Sequence, residues 1–211
     1  MKLSLENYPN LIENELKKNI GFLEENGFIK DNQITLKGIY ATEINDCNEI
    51  LLTEILYNNW FKDCTPEEIV SILSMFIQEG QSGENDTLSN NDNISKNVKD
   101  FVYYMNDVVD YYIKQEEKHQ IQSDSVWTLN LNLIYVTYLW ACGKSLDEVY
   151  QYLEIYEGNF IRSMIQINNL VQSIMNICEI VGDNDLYKKL ENIESSLIRD
   201  IVTLDSLYIH S

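Results

Sequence analysis

Proline and glycine are scarce in this sequence, with two prolines and eight glycines among 211 residues. Both residues interrupt helices, so their scarcity permits long helical segments. Apolar residues make up 45% of the chain and charged residues 23%, a globular composition that excludes a chain disordered throughout. The length suits one domain, or one helical bundle with a small appended module, and we expect the second arrangement.

Cysteine and histidine are also few. The cysteines are Cys47, Cys64, Cys142 and Cys178. They show no CxxC pairing, and they do not cluster with His119 or His210. A zinc site needs closely spaced thiol or imidazole ligands, and a disulfide framework needs regularly spaced cysteines, so the sequence predicts neither. We expect buried free thiols in a reducing compartment, with no metal and no cofactor.

Basic residues are outnumbered, since 15 Lys+Arg face 34 Asp+Glu and the formal net charge is -19. Such a field repels phosphate backbones, so the charge balance argues against autonomous nucleic-acid binding. The same acidity keeps a chain rich in tyrosine and isoleucine soluble.

Long apolar runs and a leader are missing as well. No run approaches the roughly 20 residues that span a membrane, and the opening residues MKLSLENYPN lack the basic and apolar parts of a signal peptide. We therefore expect an intracellular protein, nuclear or cytoplasmic, with no membrane partner.

Two motifs of ATP-driven enzymes do not occur: the phosphate-binding loop GxxxxGK followed by Ser or Thr, and the DExH box. The one Gly-Lys pair, Gly143-Lys144, follows an apolar helical pattern and lacks the upstream glycine. No constellation of nucleophile, base or metal ligands replaces these motifs. We expect no enzyme activity from this chain alone, and no catalytic residue.

Helical periodicity dominates what is present. The predicted helices cover residues 10–26, 46–60, 66–79, 95–118, 125–142, 145–153, 158–181 and 183–204. Thr65 with Pro66 and Glu68 gives the strongest start signal, while Asp46 is the predicted cap of the preceding helix. Gly143 and Gly182 stand where helices are expected to end. The fold class is all-α, a bundle of about seven to eight helices.

A short module precedes the bundle. After the first helix, Phe28-Ile29, a turn at residues 30–32 and extended residues 34–38 and 40–42 favour a β-hairpin. We therefore divide the chain into a winged-helix-like lead-in, residues 1–44, and a helical bundle, residues 45–211, with a mobile polar loop at 80–94. A nucleic-acid-binding winged helix is a weaker alternative for the lead-in. Its lysines Lys17, Lys18 and Lys30 are too few to carry such a function.

The helix predicted from Gly158 carries a polar stripe opposite its apolar face. The stripe consists of Asn159, Arg162, Gln166, Asn169, Ser173 and Asn176. These residues recur at steps of three and four, so they share one helix face. Amide and hydroxyl side chains hydrogen-bond sugars or base edges, and one guanidinium grips a phosphate or stacks on a base. The alternative is a face that simply contacts water.

Three other residues favour structural roles. Glu157 suits the first turn of its helix because the helix dipole stabilises a carboxylate there. Trp140 lies among apolar neighbours and is predicted to be in the core. Arg199 and Asp200 are predicted to form an ion pair that holds the terminal helix to the bundle.

Short sequence segments in a fixed order resemble the DSHCT domain that ends the exosome-cofactor and superkiller-type DExH-box RNA helicases. The segments are Lys37-Gly38, residues 41–44, residues 49–54, Phe61, Thr65-Pro66-Glu67, Leu73-Ser74, residues 138–143, residues 156–162, residues 199–202 and residues 206–209. The resemblance covers roughly residues 36–209.

The resemblance implies a helical bundle that packs on two RecA-like domains and forms one wall of an RNA channel. In that family a long ratchet helix touches single-stranded RNA while ATP-driven motion moves the strand 3′ to 5′. The matching helix here begins at Glu157-Gly158, which makes Asn159, Arg162, Gln166, Asn169 and Ser173 the candidate RNA-binding residues. Family members commonly carry an arginine and a glutamate where this chain has Gln166 and Asn169, and loss of that cation weakens phosphate contact.

Two functions follow as alternatives. The first is an accessory C-terminal domain of an ATP-dependent RNA helicase, with RecA-like domains and single-stranded RNA as partners in RNA processing or decay. The second is a stand-alone acidic interaction module that has kept the helical scaffold without RNA binding, as the acidic balance, Gln166 and Asn169 favour.

Overall fold

Helices make up nearly all the regular structure in the computed structural model, which describes residues 8–78, 94–122, 127–152 and 155–200. In chain order the helices are α1 Tyr8–Glu25, α2 Leu36–Thr42, α3 Glu49–Tyr57, α4 Pro66–Leu73, α5 Lys96–His119, α6 Ile134–Ala141, α7 Leu146–Tyr150, α8 Glu157–Val181, α9 Asn184–Leu190 and α10 Glu194–Leu197. A 3-10 turn, Ser74–Phe76, extends α4. The predicted all-α fold is confirmed, and the predicted loop at 80–94 lies outside the described residues except for Ile94.

The predicted hairpin is present, but it is shorter than expected. Strand β1, Ile29–Lys30, pairs antiparallel with β2, Gln33–Ile34. The prediction of extended residues 34–38 and 40–42 was wrong beyond Ile34, because Thr35 caps α2 by accepting the backbone N–H of Gly38 at 3.1 Å. Gly38 is required there, since a Cβ would collide with the carbonyl oxygen of Phe28.

Local capping signals set two helix starts. Thr65 and Glu68 form the predicted capping box at the start of α4. The predicted cap Asp46 was wrong. Asn48 caps α3 instead, because its side-chain oxygen accepts the N–H of Leu51 at 3.0 Å.

Two predicted helices are shorter than expected or interrupted. In the helix predicted at 125–142, residues 125 and 126 lie outside the described residues, and residues 127–133 before α6 are not helical. Asn130 holds this non-helical segment in place, since its backbone N–H donates to the carbonyl of Met75 at 2.8 Å and its side chain donates to that of Ile77 at 2.9 Å. The helix predicted at 183–204 breaks between α9 and α10, and its last residues, 201–204, lie outside the described residues.

The core lies between α4, α6 and α8. Trp140 of α6 is fully buried, as predicted; its ring meets that of Phe160 edge-on at 5.5 Å, and its indole N–H donates to the carbonyl of Leu197 at 2.9 Å. Arg199 covers the outer side of the same indole, 3.5 Å from the ring centroid. The predicted Arg199–Asp200 ion pair forms at 2.6 Å. The contacts of Trp140 with Leu197 and Arg199 fasten the end of the chain to α6, whereas the ion pair joins sequence neighbours and does not hold the helix to the bundle as predicted.

A charged cluster with little exposure joins α2 to α3 and α5. Lys37 of α2 and Glu54 of α3 form an ion pair at 2.5 Å, with side chains only 13% exposed. The hydroxyl of Tyr112 on α5 donates to the same Glu54 oxygen, and Lys37 also donates to the carbonyl of Asn26 at 3.0 Å. The Lys37 ammonium lies 4.6 Å above the ring of Phe28. Every charge in the cluster therefore has a partner, as buried charges require.

Candidate functional site

Helix α8 is the longest helix that the structure describes, at 25 residues. It begins after Tyr156, whose extended backbone makes no side-chain cap, and Glu157 lies in its first turn, where the helix dipole favours an acid. It ends at Gly182, whose φ of 79° is left-handed. The N–H groups of Gly182 and Asp183 both donate to the carbonyl of Cys178, at 2.8 Å and 2.9 Å, which closes the helix as glycine termini commonly do.

One side of α8 is buried against α4, α9 and α10. Its buried residues are Phe160, Ile161, Ser163, Met164, Ile167, Leu170, Val171, Ile174, Ile177 and Cys178. Ser163 is the one polar member, and its hydroxyl donates to the carbonyl of Asn159 at 2.9 Å, so it costs little to bury. Packing along this side fixes which residues α8 turns outward.

The residues predicted to form the polar stripe all reach the surface. Arg162, Asn169 and Asn176 are exposed, while Asn159, Gln166 and Ser173 are half-buried. We call these six residues the α8 strip. It runs over five turns of one helix, which is about 25 Å at a rise of 1.5 Å per residue.

The α8 strip is polar and nearly uncharged. Arg162 carries its only charge, and within the described ranges the guanidinium of Arg162 forms no ion pair. The remaining strip residues are amides and a serine, which both donate and accept hydrogen bonds. Such a surface suits a ligand with many polar atoms and at least one anionic group.

A second accessible surface lies on the N-terminal half of α1. Lys18 donates to the carbonyl of Gln120 at the end of α5, and Phe22 packs against Tyr112 and His119. Residues 11–17 lie beyond that contact and are all exposed. They include the apolar side chains Leu11, Ile12 and Leu16, which we call the α1 overhang.

None of the cysteines has the lowered pKa that would activate its thiol. Cys64 and Cys178 are buried, and burial raises their pKa to about 11 and about 12. Cys47 is half-buried, and burial raises its pKa as well. The prediction of buried thiols was wrong for Cys142, which is exposed at the end of α6. Its pKa is also raised by burial of part of its side chain.

Metal and membrane sites are not found in the described part of the chain. No group of three or more His, Cys, Asp or Glu side chains there is arranged to hold a metal ion. No helix among those residues is both long enough and apolar enough to cross a bilayer.

Sequence reasoning missed the contacts that join distant elements. The Lys37–Glu54–Tyr112 cluster had no local signal, because its members lie on three different helices. The same holds for Lys189 of α9, whose ammonium donates to the carbonyls of Phe61 and Cys64, each at 3.1 Å. The exposure of the α1 overhang also had no signal, since an apolar stripe looks alike whether its partner is in the chain or outside it.

A long helix with a polar outer strip, set in an all-α bundle behind a helix and hairpin, agrees with a known family. The sequence pattern of the DSHCT (NUC185) domain matches residues 31–205, and the chain belongs to that family.

The relatives that it resembles are RNA helicases. It is 28% identical over 197 residues to the ATP-dependent RNA helicase mtr4 of Schizosaccharomyces pombe, covering 92% of this chain and 17% of that protein. It is 30% identical over 198 residues to the DExH-box ATP-dependent RNA helicase DExH9 of Arabidopsis thaliana, covering 92% and 20%. Against the antiviral helicase SKI2 of Saccharomyces cerevisiae the figures are 27% over 197 residues, 92% and 15%. The chain thus spans a fifth or less of the length of these relatives.

Proposed function

We propose that this chain is an accessory C-terminal domain of an ATP-dependent 3′–5′ RNA helicase, and that it guides single-stranded RNA in RNA processing or decay. The observation that carries the proposal is the α8 strip, an accessible polar face on a helix whose other side is locked into the bundle. In this proposal RecA-like domains supply ATP hydrolysis, and the present chain supplies one wall of the path that the RNA follows.

The chemistry of the strip fits a moving strand. Arg162 pairs with one phosphate, and the side chains of Asn159, Gln166, Asn169 and Ser173 exchange hydrogen bonds with sugar and base edges. These contacts are individually weak and similar from one nucleotide to the next. A strand held in this way is kept in register without being trapped at one position.

RNA binding by the isolated chain tests the strip. Fluorescence anisotropy with a labelled single-stranded RNA at low salt should show weak, salt-sensitive binding. Replacing Arg162→Ala should lower the affinity about tenfold, because the one charge-assisted contact is lost. The matched control is Lys188→Ala, which removes an exposed cation from α9 and leaves the affinity unchanged. An Arg162→Ala protein that binds as well as the wild type contradicts the proposal.

Docking on RecA-like domains is the second part of the proposal, and the α1 overhang supports it. Leu11, Ile12 and Leu16 expose apolar surface on helical turns that nothing in the described chain covers. Burial of such side chains against a partner is favourable by roughly 25 cal/mol per Å². We retain residues 1–44 as a proposed lead-in that carries this contact and residues 45–211 as the proposed bundle.

Mixing experiments test the docking. A RecA-like helicase core that lacks its own helical domain should form a complex with this chain, detected by analytical ultracentrifugation. The core should unwind RNA at a different rate in the complex than alone. The triple substitution of Leu11, Ile12 and Leu16 by Ser should abolish the complex while changing the melting temperature little, because these residues are more than half exposed in the folded chain. A complex that survives the triple substitution excludes the overhang as the docking surface.

The acidic balance favours one alternative function. A net charge of -19 and a strip with a single cation suit a protein-interaction module that does not bind RNA. The anisotropy experiment separates the two functions, since the interaction module predicts no RNA binding even at low salt.

A further inference from the structure

Tyr156 directly precedes α8, three positions before the first residue of the α8 strip, and its ring is unusually exposed. Its side chain is 86% exposed, against 69% for Tyr103 on the outer face of α5. No ring among the described residues packs against it. Large aromatic side chains are normally at least partly covered, so a ring left this open is available to a ligand.

The surroundings of Tyr156 leave its ring open to a flat partner. Two residues further on stands Gly158, and a Cβ built there meets no atom within 4 Å. The start of α8 is therefore uncrowded at Gly158. Glu157 between them disfavours phosphate at this point, so a nucleic acid would present a base here and not its backbone.

We propose, resting on the RNA-guiding function above, that Tyr156 stacks on one base of the bound strand and anchors it at the N-terminal end of the α8 strip. The ring of Tyr156 and the guanidinium of Arg162 belong to residues six positions apart, which is about 9 Å along the helix axis. Stacked nucleotides advance roughly 3.4 Å each. The base on Tyr156 and the phosphate on Arg162 are therefore two or three nucleotides apart on the same strand.

Stacking on one ring makes the affinity depend on the base and not only on the backbone. Purines present a larger π-face than pyrimidines, so an oligoadenylate should bind more tightly than an oligouridylate of the same length. Hydrogen bonds and the single Arg162 contact of the α8 strip do not by themselves predict tighter binding of oligoadenylate than of oligouridylate.

Anisotropy with oligoadenylate, oligouridylate and an abasic strand tests the inference. Tyr156→Ala should lower the affinity for oligoadenylate at least about fivefold and abolish the preference over oligouridylate. Tyr156→Phe should retain the affinity for oligoadenylate and the preference over oligouridylate, because the aromatic ring is kept. The control Tyr103→Ala removes another exposed tyrosine, on α5, and should change neither the affinity nor the preference. Unchanged melting temperatures confirm that the variants are folded.

Each result has a distinct meaning. If Tyr156→Ala binds oligoadenylate like the wild type while Arg162→Ala does not, stacking is overturned and the RNA-guiding function stands. If Tyr156→Ala weakens binding of the abasic strand as much as that of oligoadenylate, the ring acts otherwise than by stacking and the inference is overturned. If Tyr156→Ala weakens only the complex with a RecA-like core, Tyr156 contacts protein and the inference is again overturned. A wild-type chain that binds none of the strands overturns both proposals.

Discussion

Single residues decide how α2 is held to α3 and α5. Lys37 meets Glu54 and Tyr112 across 17 and 75 positions of sequence, and the side chains of the ion pair are nearly buried. Removing one partner leaves the opposite charge buried with less compensation, which is the costly way to disrupt such a cluster. No local sequence pattern predicts the Lys37–Glu54–Tyr112 cluster, so it is seen only in the structure.

Lys37→Ala is expected to lower the free energy of unfolding by about 3 kcal/mol, because the Glu54 carboxylate stays buried without its cation. Urea denaturation followed by circular dichroism measures the change. The matched control is Lys17→Ala, which breaks the exposed pair with Glu13 and should change stability by about 0.5 kcal/mol or less. Equal effects of the two substitutions would contradict the assigned role of the buried cluster.

The thiols give a second prediction for single residues. At pH 8 a disulfide reagent should label one thiol of the native protein quickly, because Cys142 is exposed while Cys64 and Cys178 are buried and have raised pKa values. A raised pKa leaves less thiolate, which is the reactive form. All four thiols should react after denaturation. Persistence of the fast phase in Cys142→Ser would refute this ranking.

At the scale of helices, starts and ends encoded by neighbouring residues were predictable, and interruptions imposed from a distance were not. Thr65 and Glu68 mark the start of α4, and Gly182 ends α8, as local chemistry predicts. The shortened α6 depends on Asn130 reaching the carbonyls of Met75 and Ile77, more than fifty positions away. The local sequence around Asn130 does not predict that contact.

The two glycines of α8 provide a matched pair at this scale. Gly182→Ala should lower the free energy of unfolding by about 1 kcal/mol, because φ is 79° and an alanine is strained there. Gly158→Ala should raise it by roughly 0.5 kcal/mol, because the space is open and the backbone is ordinary helix. Thermal unfolding of both variants measures the contrast. The same sign for both would show that backbone conformation does not govern these positions.

For the whole molecule, charge sets how RNA can be held. The α8 strip was readable from the sequence because helical periodicity fixes which residues share a face, and the structure leaves all six accessible. The exposure of Tyr156 could not be predicted in this way, because helical periodicity does not indicate whether a ring that precedes a helix is covered. A net charge of -19 supplies no general electrostatic attraction for RNA, so the proposed RNA binding rests on the strip alone.

The salt dependence of RNA binding should therefore be shallow. Each phosphate contact on a single strand contributes a slope of about −0.7 to the logarithm of affinity against the logarithm of salt concentration. With Arg162 as the one cation of the strip, the wild type should show a slope near −0.7 and Arg162→Ala a slope near zero. Anisotropy titrations at several salt concentrations measure both. A steep slope in the variant would reveal phosphate contacts elsewhere.

The α1 overhang has a consequence for how this protein changes over time. Residues 11–17 contribute no side chain to the interior, so replacing them alters the fold's stability hardly at all. In the proposed docking, selection on that stretch then reflects the matching surface of the partner, and the two surfaces can change together without either fold being disturbed.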